Sequence, residues 1–398
     1  MQESLLFLFL GSVLLFSLVM AKGVSIIKSP LVLGYIICGA ILGPAIIGII
    51  KPEHIGRFDI INTITLSLLG FGIGGELQFK ELKKLGPSII WIVIFEATIT
   101  FIVVGIITTL ITKSISMGLI YGALASATAP AGTTDVIKQY KATGVVTKTL
   151  YAVMGLDDIY SLLLYTIAIP IAIILIGGQG LTVGEAFLEA GKEVGLAIIF
   201  GITAGWIIYL VGKVTYSKTF ILAFSIGMLF MLCGIASYFK LSPILLNMVA
   251  GIVLVNKSKL VSRKINSALG EWSPPIYMIF FALIGARLNF AMIWQYLALI
   301  LLYIVARTGG KLGGAWLGAT VSSADKNVRN YLGFTLLSQA GVAIGLSLAA
   351  GKLLELNGFH EQATQVVSVM TATTFLIMLV GPLLCKFGLK KAGECRVK

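Results

Sequence analysis

Apolar positions along this chain come in long runs rather than in the short alternating strands of a transmembrane β-barrel. Runs of roughly 17–25 residues recur from end to end, the length that crosses a bilayer as a helix. Thirteen can be drawn, at approximately 5–20, 30–50, 61–79, 88–112, 117–137, 147–176, 186–212, 219–239, 242–256, 272–289, 291–320, 328–354 and 362–386. The pattern predicts an all-α polytopic membrane protein with about 13 transmembrane helices. The first run follows "MQES", which carries Glu3 and no lysine, and lacks a small-x-small cleavage site. It reads as a membrane helix rather than a signal peptide.

The polar positions between the runs test this count. With the N-terminus outside, the inward connections hold Lys22 and Lys28, then Lys80, Lys83 and Lys84, then Lys138, Lys141 and Lys148, and so on to the C-terminal tail. They collect 21 of the 30 basic residues. The opposite loops hold few, among them Lys51, Arg57, Lys113 and Lys240. Positive-inside bias therefore predicts an outward N-terminus and a cytoplasmic C-terminus in the cell (inner) membrane.

Two segments differ from ordinary spans. "GLIYGALASATAPAGTTDVI", Gly118 to Ile137, places Pro130 near its middle, and Pro130 has no N–H to continue a helix. "GFTLLSQAGVAIGLSLAAG", Gly333 to Gly351, places Gln339 and Gly341 at comparable depth. Both read as helices broken at the midplane, where freed carbonyls and helix ends line an interior cavity. Lying an odd number of spans apart, they enter the membrane from opposite sides, as two crossed helices of an inverted repeat require.

Composition agrees with this picture. Of 398 residues, 58% are hydrophobic and 12% charged, with a mean hydropathy of +0.99. That excludes an ordinary soluble domain. The net charge of +13 concentrates in the inward loops, which points to a lipid bilayer and not to nucleic acid. Cys38, Cys233, Cys385 and Cys395 have neither metal nor disulfide spacing. No nucleophile, base and metal group converges, so the chain is expected to be no enzyme and to need no cofactor.

Charges inside the apolar runs carry the chemistry. Asp157 and Asp158, in "GLDDIYSLLLY", fall about ten residues into the sixth run. A carboxylate at that depth costs roughly 2.5–3.5 kcal/mol on insertion scales, so a pair implies a wet cavity and a function. Neighbouring residues on a helix diverge by about 100°, so one can face an ion while the other faces a helix partner. In "YIVARTGGKLGGAWLGA", Arg307 and Lys311 share a face. A Lys–Asp pair can break when the acid takes a proton or cation, whereas Arg307 suits a brace because it stays charged. Gly309, Gly310, Gly313 and Gly314 beside Lys311 permit close helix approach. Glu96 is a further intramembrane acid, equally fit for a structural or a functional part. Glu76 reads as interfacial, and Asp135 as a cap, a partner of Lys138 or part of the inner mouth. His54 and His360 fall in external loops.

Together these residues resemble the bacterial and archaeal sodium/proton antiporters of the cation:proton antiporter superfamily, particularly its second branch, over essentially the whole chain. "GLDD" is similar to the family's two-aspartate motif, which implies ion binding at Asp158 and proton carriage at Asp157. "RTGGKLGGAWLGA" is similar to the basic segment whose lysine, here Lys311, bridges the first aspartate. "SATAP", Ser126 to Pro130, falls at the first broken helix, with Thr128 and Pro130 matching and Ala129 lacking the acid that the other branch carries. "QAGVAIGL", Gln339 to Leu346, resembles the second. The resemblance implies two protons exchanged for one sodium, alternating access, and a homodimer. It also implies a moving core, approximately 61–176 and 291–386, against a dimerisation scaffold, approximately 5–50 and 186–289. The transported ions would be sodium or lithium and protons, with sodium held at Asp158, Asp157, Thr128 and Ser126. Arg307, Gln339, Pro130 and Glu96 would support that site.

Other classes fit less well. A sodium-coupled symporter for an organic solute needs a larger polar pocket, and no cluster of arginines or aromatics supplies one. A channel needs a polar stripe through several spans, whereas these charges gather at one depth. Potassium/proton exchange stays open, because excluding potassium depends on cavity size.

Overall fold

The computed structural model describes residues 3–26, 31–44, 46–49, 58–80, 86–129, 133–134, 136–137, 140–177, 183–215, 217–288 and 290–395. The helices are α1 (Glu3–Ile26), α2 (Leu31–Leu42), α3 (Asp59–Glu76), α4 (Pro87–Thr112), α5 (Ile115–Ser126), α6 (Val145–Ile176), α7 (Val183–Val214) and α8 (Lys218–Tyr238). They continue as α9 (Pro243–Lys257), α10 (Lys259–Ala286), α11 (Phe290–Gln295), α12 (Leu297–Val321), α13 (Lys326–Thr335), α14 (Gly341–Leu356) and α15 (His360–Lys391). Among the described residues, eight of these are long and apolar enough to cross a membrane. Large apolar side chains such as Leu110, Val305 and Leu383 point outward, the arrangement of a protein whose solvent is lipid.

Local chemistry sets several helix ends. Ser217, Ser242 and Ser258 each accept a backbone N–H from the first turn of α8, α9 and α10, and Pro243 follows Ser242 at the first helical position. Asp325 accepts the Asn327 N–H at 2.7 Å to open α13. Gly177, at φ 107°, closes α6 in a left-handed conformation that favours glycine. Sequence and structure diverge at two places. The tenth helix starts at Lys259, because Ser258 caps a polar turn well before the apolar run begins. The eleventh run divides into the short α11 and the long α12.

Close glycine contacts fix how the helices pair. Gly310, Gly314 and Gly318 on α12 lie against Thr100, Glu96 and Ile92 of the antiparallel α4, and a Cβ on any of them would come within 2.7 Å of the opposing Cα. Only glycine allows backbones this near. By contrast α3 and α9 run the same way, with Gly70 against Ile244 and Gly74 against Met248. So do α2 and α10, with Gly39 against Ala282 and Gly43 against Ala286.

Both unusual segments are interrupted. α5 ends at Ser126 and Ala127 turns extended, at φ −66° and ψ 139°. α13 ends at Thr335, and α14 resumes at Gly341 after a non-helical Ala340, at φ −155° and ψ −131°. The interruptions meet: the Ala129 N–H donates to the Ser338 carbonyl at 2.9 Å, and the Thr133 hydroxyl reaches Ser338 Oγ at 3.1 Å.

Candidate ion-binding site

An interrupted helix leaves carbonyls without intrahelical donors, and these are costly away from water. Arg307 on α12, 1% exposed, supplies donors to both interruptions. Its Nε donates to Ala125 O at 3.1 Å and its Nη2 to Ala127 O at 2.8 Å, at the end of α5. Its Nη1 donates to Leu337 O at 2.7 Å, across the second break. A planar guanidinium suits this fan of acceptors, and negative helix C-termini favour its charge. Gln339 adds a second tie, its Nε2 donating to Leu124 O at 3.2 Å and to the Tyr303 hydroxyl at 3.0 Å.

One turn along α12, Lys311 is fully buried among oxygens from three other segments. It forms a close ion pair with Glu96 of α4 and donates to the Ser126 carbonyl. It also donates to Thr128 Oγ1 at 2.7 Å and lies 3.4 Å from Asp157 Oδ2 on α6. Asp157 Oδ1 accepts weakly from Ser161 at 3.5 Å. Asp158 is 4% exposed, and its Oδ1 has no hydrogen-bond partner among the described residues.

The structure thus gathers Asp157, Lys311, Glu96, Thr128 and the Ser126 backbone, with Asp158 next to them and Arg307 and Gln339 behind. The Ser126 hydroxyl is turned away from this group, donating to Ala123 O at 2.7 Å within its own helix, so Ser126 contributes its carbonyl. Pro130, Asp135, Lys138 and His54 lie outside the described residues. Glu76 is exposed at the end of α3, within electrostatic range of Asp158.

Sequence reasoning missed Glu394, which follows α15. Gly144 stands at the start of α6 with no side chain to cap it. The Glu394 carboxylate fills that place, accepting the Val146 N–H at 2.7 Å, the Thr147 N–H at 2.8 Å and the Thr147 hydroxyl at 2.6 Å. An anion at a helix N-terminus is doubly favoured, by hydrogen bonding and by the dipole. The vacant cap at Gly144 was the available signal.

Buried, mutually compensating charges at two interrupted helices define a secondary transporter, with an ion site held by fixed carbonyls and titratable acids. Residues 12–391 match the family described as "Sodium/hydrogen exchanger, transmembrane", and the chain belongs to that family. It is a multi-pass plasma-membrane transporter coupling monovalent cation movement to protons, and not an enzyme. The fold matches the sodium proton antiporter MjNhaP1 of Methanocaldococcus jannaschii at a TM-score of 0.80 and 18% identity, covering 98% of this chain and 99% of that one. An electron-microscopy determination of the same antiporter gives 0.78 and 19%, with full coverage of both. The ammonium/H(+) antiporter subunit AmhT of Alkalihalophilus pseudofirmus is 24% identical over 345 residues, 83% of this chain and 84% of that protein.

Proposed function

We propose that this protein exchanges sodium, or lithium, for protons, moving two protons against one cation so that transport responds to the membrane potential. The observation that carries this reading is an Asp158 oxygen with no hydrogen-bond partner among the described residues, beside an Asp157 that is only loosely held by Lys311. Two neighbouring carboxylates of this kind can release two protons and accept one cation in their place. Sodium is a hard cation that prefers oxygen ligands, and the aspartates, the Thr128 hydroxyl and nearby carbonyls supply them.

Thirteen spans, an outward N-terminus and a cytoplasmic tail complete the proposal. Supporting it, α3 and α9 run parallel, as do α2 and α10, while α4 and α12 run antiparallel, the directions that an alternating succession of thirteen spans requires. In our reading the moving core comprises α4 to α6 and α12 to α15, and the first ten segments otherwise form a scaffold that pairs in a homodimer. α3, grouped with the core on sequence, goes to the scaffold because its glycines pack on α9.

A second reading takes ammonium or potassium as the cation, favoured by the likeness to an ammonium/H(+) antiporter subunit. Proteoliposomes separate the two. Sodium-driven proton flux that follows an imposed potential and vanishes in Asp158→Asn supports the first. Flux driven by ammonium or potassium but not by sodium or lithium supports the second.

A further inference from the structure

The tail after α15 is fastened to the start of α6 by more than the cap itself. Gly393, at φ 75°, turns the chain back, and the Glu394 N–H donates to Leu389 O at 3.1 Å. The Glu394 carbonyl accepts the Thr143 N–H at 3.0 Å, so backbone and side chain both hold the entry to α6. Glu394 is buried, and Lys386, further back on α15, lies over the Tyr140 ring at 4.7 Å. A Cβ on Gly144 would collide with the carboxylate, so the glycine provides the room in which the acid sits.

The first turns of α6 lead from this fastening to the acids. Val146, Leu150 and Val153 recur at i, i+4 and i+7, and Asp157 follows at i+11 on the same stripe. The three apolar members are buried in a cluster with Ala315 of α12, Leu332 of α13, and Cys385 and Leu389 of α15, separate from the main core. Packing of this stripe fixes how α6 is turned about its axis, and that rotation aims Asp157 at Lys311. The aim is narrow, since Asp157 Oδ2 already lies 3.4 Å from Lys311 Nζ, at the outer edge of a hydrogen bond. A first turn that loses its cap frays, and Val146 loses its seat with it.

We infer that Glu394 is a positioning residue for ion exchange: its carboxylate holds the first turn of α6 so that the acids three turns further on keep their orientation toward Lys311 and the entering cation. The inference goes beyond the proposed exchange, because it holds whichever monovalent cation is carried. Loss of the cap leaves both aspartates and the lysine in the chain. Transport then continues through a weaker site, with a raised KM for the cation and a maximal rate largely kept. The rise should be about three- to tenfold, the range over which losing one helix cap shifts an equilibrium.

Proton flux in proteoliposomes, titrated with whichever of sodium, lithium, ammonium or potassium drives it in the wild type, tests this. Three variants attack one contact in different ways. Glu394→Ala removes the acceptor. Thr147→Val removes one donor and keeps the shape. Gly144→Ala keeps the acid but displaces it: Gly144 is extended at φ 167°, which alanine adopts readily, and its methyl would meet the flexible end of the Glu394 side chain. We expect a raised KM in all three, smallest in Thr147→Val, with partial recovery in Glu394→Gln. In Glu394→Ala/Gly144→Ala the rise should be no larger than in Glu394→Ala alone, as two routes to one lost contact require. A lowered maximal rate at an unmoved KM, or single effects that multiply in the double variant, would make Glu394 a structural cap only and overturn the inference. Should Glu394→Ala fail to fold, Gly144→Ala and Thr147→Val decide by the same KM. A wild type that answers to ammonium or potassium but not to sodium or lithium refutes the sodium reading above, and the comparison of variants is then read with that cation.

Discussion

Glu394 and Thr147 meet through two hydrogen bonds, with the carboxylate accepting both the backbone N–H and the hydroxyl of the threonine. They come from the tail and from the first turn of α6, and α6 carries Asp157 and Asp158. Glu394→Ala removes an N-cap acceptor shared by two backbone amides. It should lower stability by about 1–2 kcal/mol. Thermal unfolding in detergent checks this, and Glu394→Gln should recover part of the loss, its single carbonyl oxygen accepting some of these bonds without the charge.

Arg307→Lys is a conservative change in charge and a severe one in geometry. A single ammonium cannot reach the carbonyls of Ala125, Ala127 and Leu337 together. Leaving one or two of them buried without donors should cost about 2–4 kcal/mol. The measurement is again the unfolding midpoint, and a variant as stable as the wild type would show that the carbonyls find other donors.

The glycines of α12 should divide sharply by face. A Cβ on Gly314 would lie 2.6 Å from the Glu96 Cα, so Gly314→Val must force α12 off α4, at about 1–3 kcal/mol or more. A Cβ on Gly309 would meet nothing within 4 Å. Gly309→Ala should be neutral or stabilising by up to about 1 kcal/mol, since alanine is the better helix former. Paired stability measurements on the two variants settle the contrast.

Asp157→Asn should uncouple charge from exchange. Asp158 remains able to trade one proton for one sodium, so proton flux persists while its dependence on the imposed potential disappears. Flux that stays potential-driven in this variant would place the second proton elsewhere.

The intramembrane charges were legible in the sequence because a charge in an apolar run demands a reason, and the interruptions because proline, glycine and glutamine fall at matching depths. What Lys311 would touch was not. Its pairing with Glu96 joins positions far apart in the chain and depends on which helix the glycines of α12 receive, which no local pattern states. Glu394 was harder still, since an acid in a polar tail looks like any solvated charge until the uncapped start of α6 is brought beside it. Which atom Ser126 would offer was not legible for a related reason: at a helix end its hydroxyl can turn inward to its own carbonyls, as it does here toward Ala123.

Arg307 fastens the two interruptions to each other. Because one guanidinium holds carbonyls from both, neither break can unwind further without stripping donors from the other. The place where the two interruptions meet therefore behaves as a welded joint rather than as a pair of independent hinges. Passage of an ion from one face of the membrane to the other is then most economically a displacement of the joint as a whole, with its acids, its lysine and its freed carbonyls travelling in fixed register.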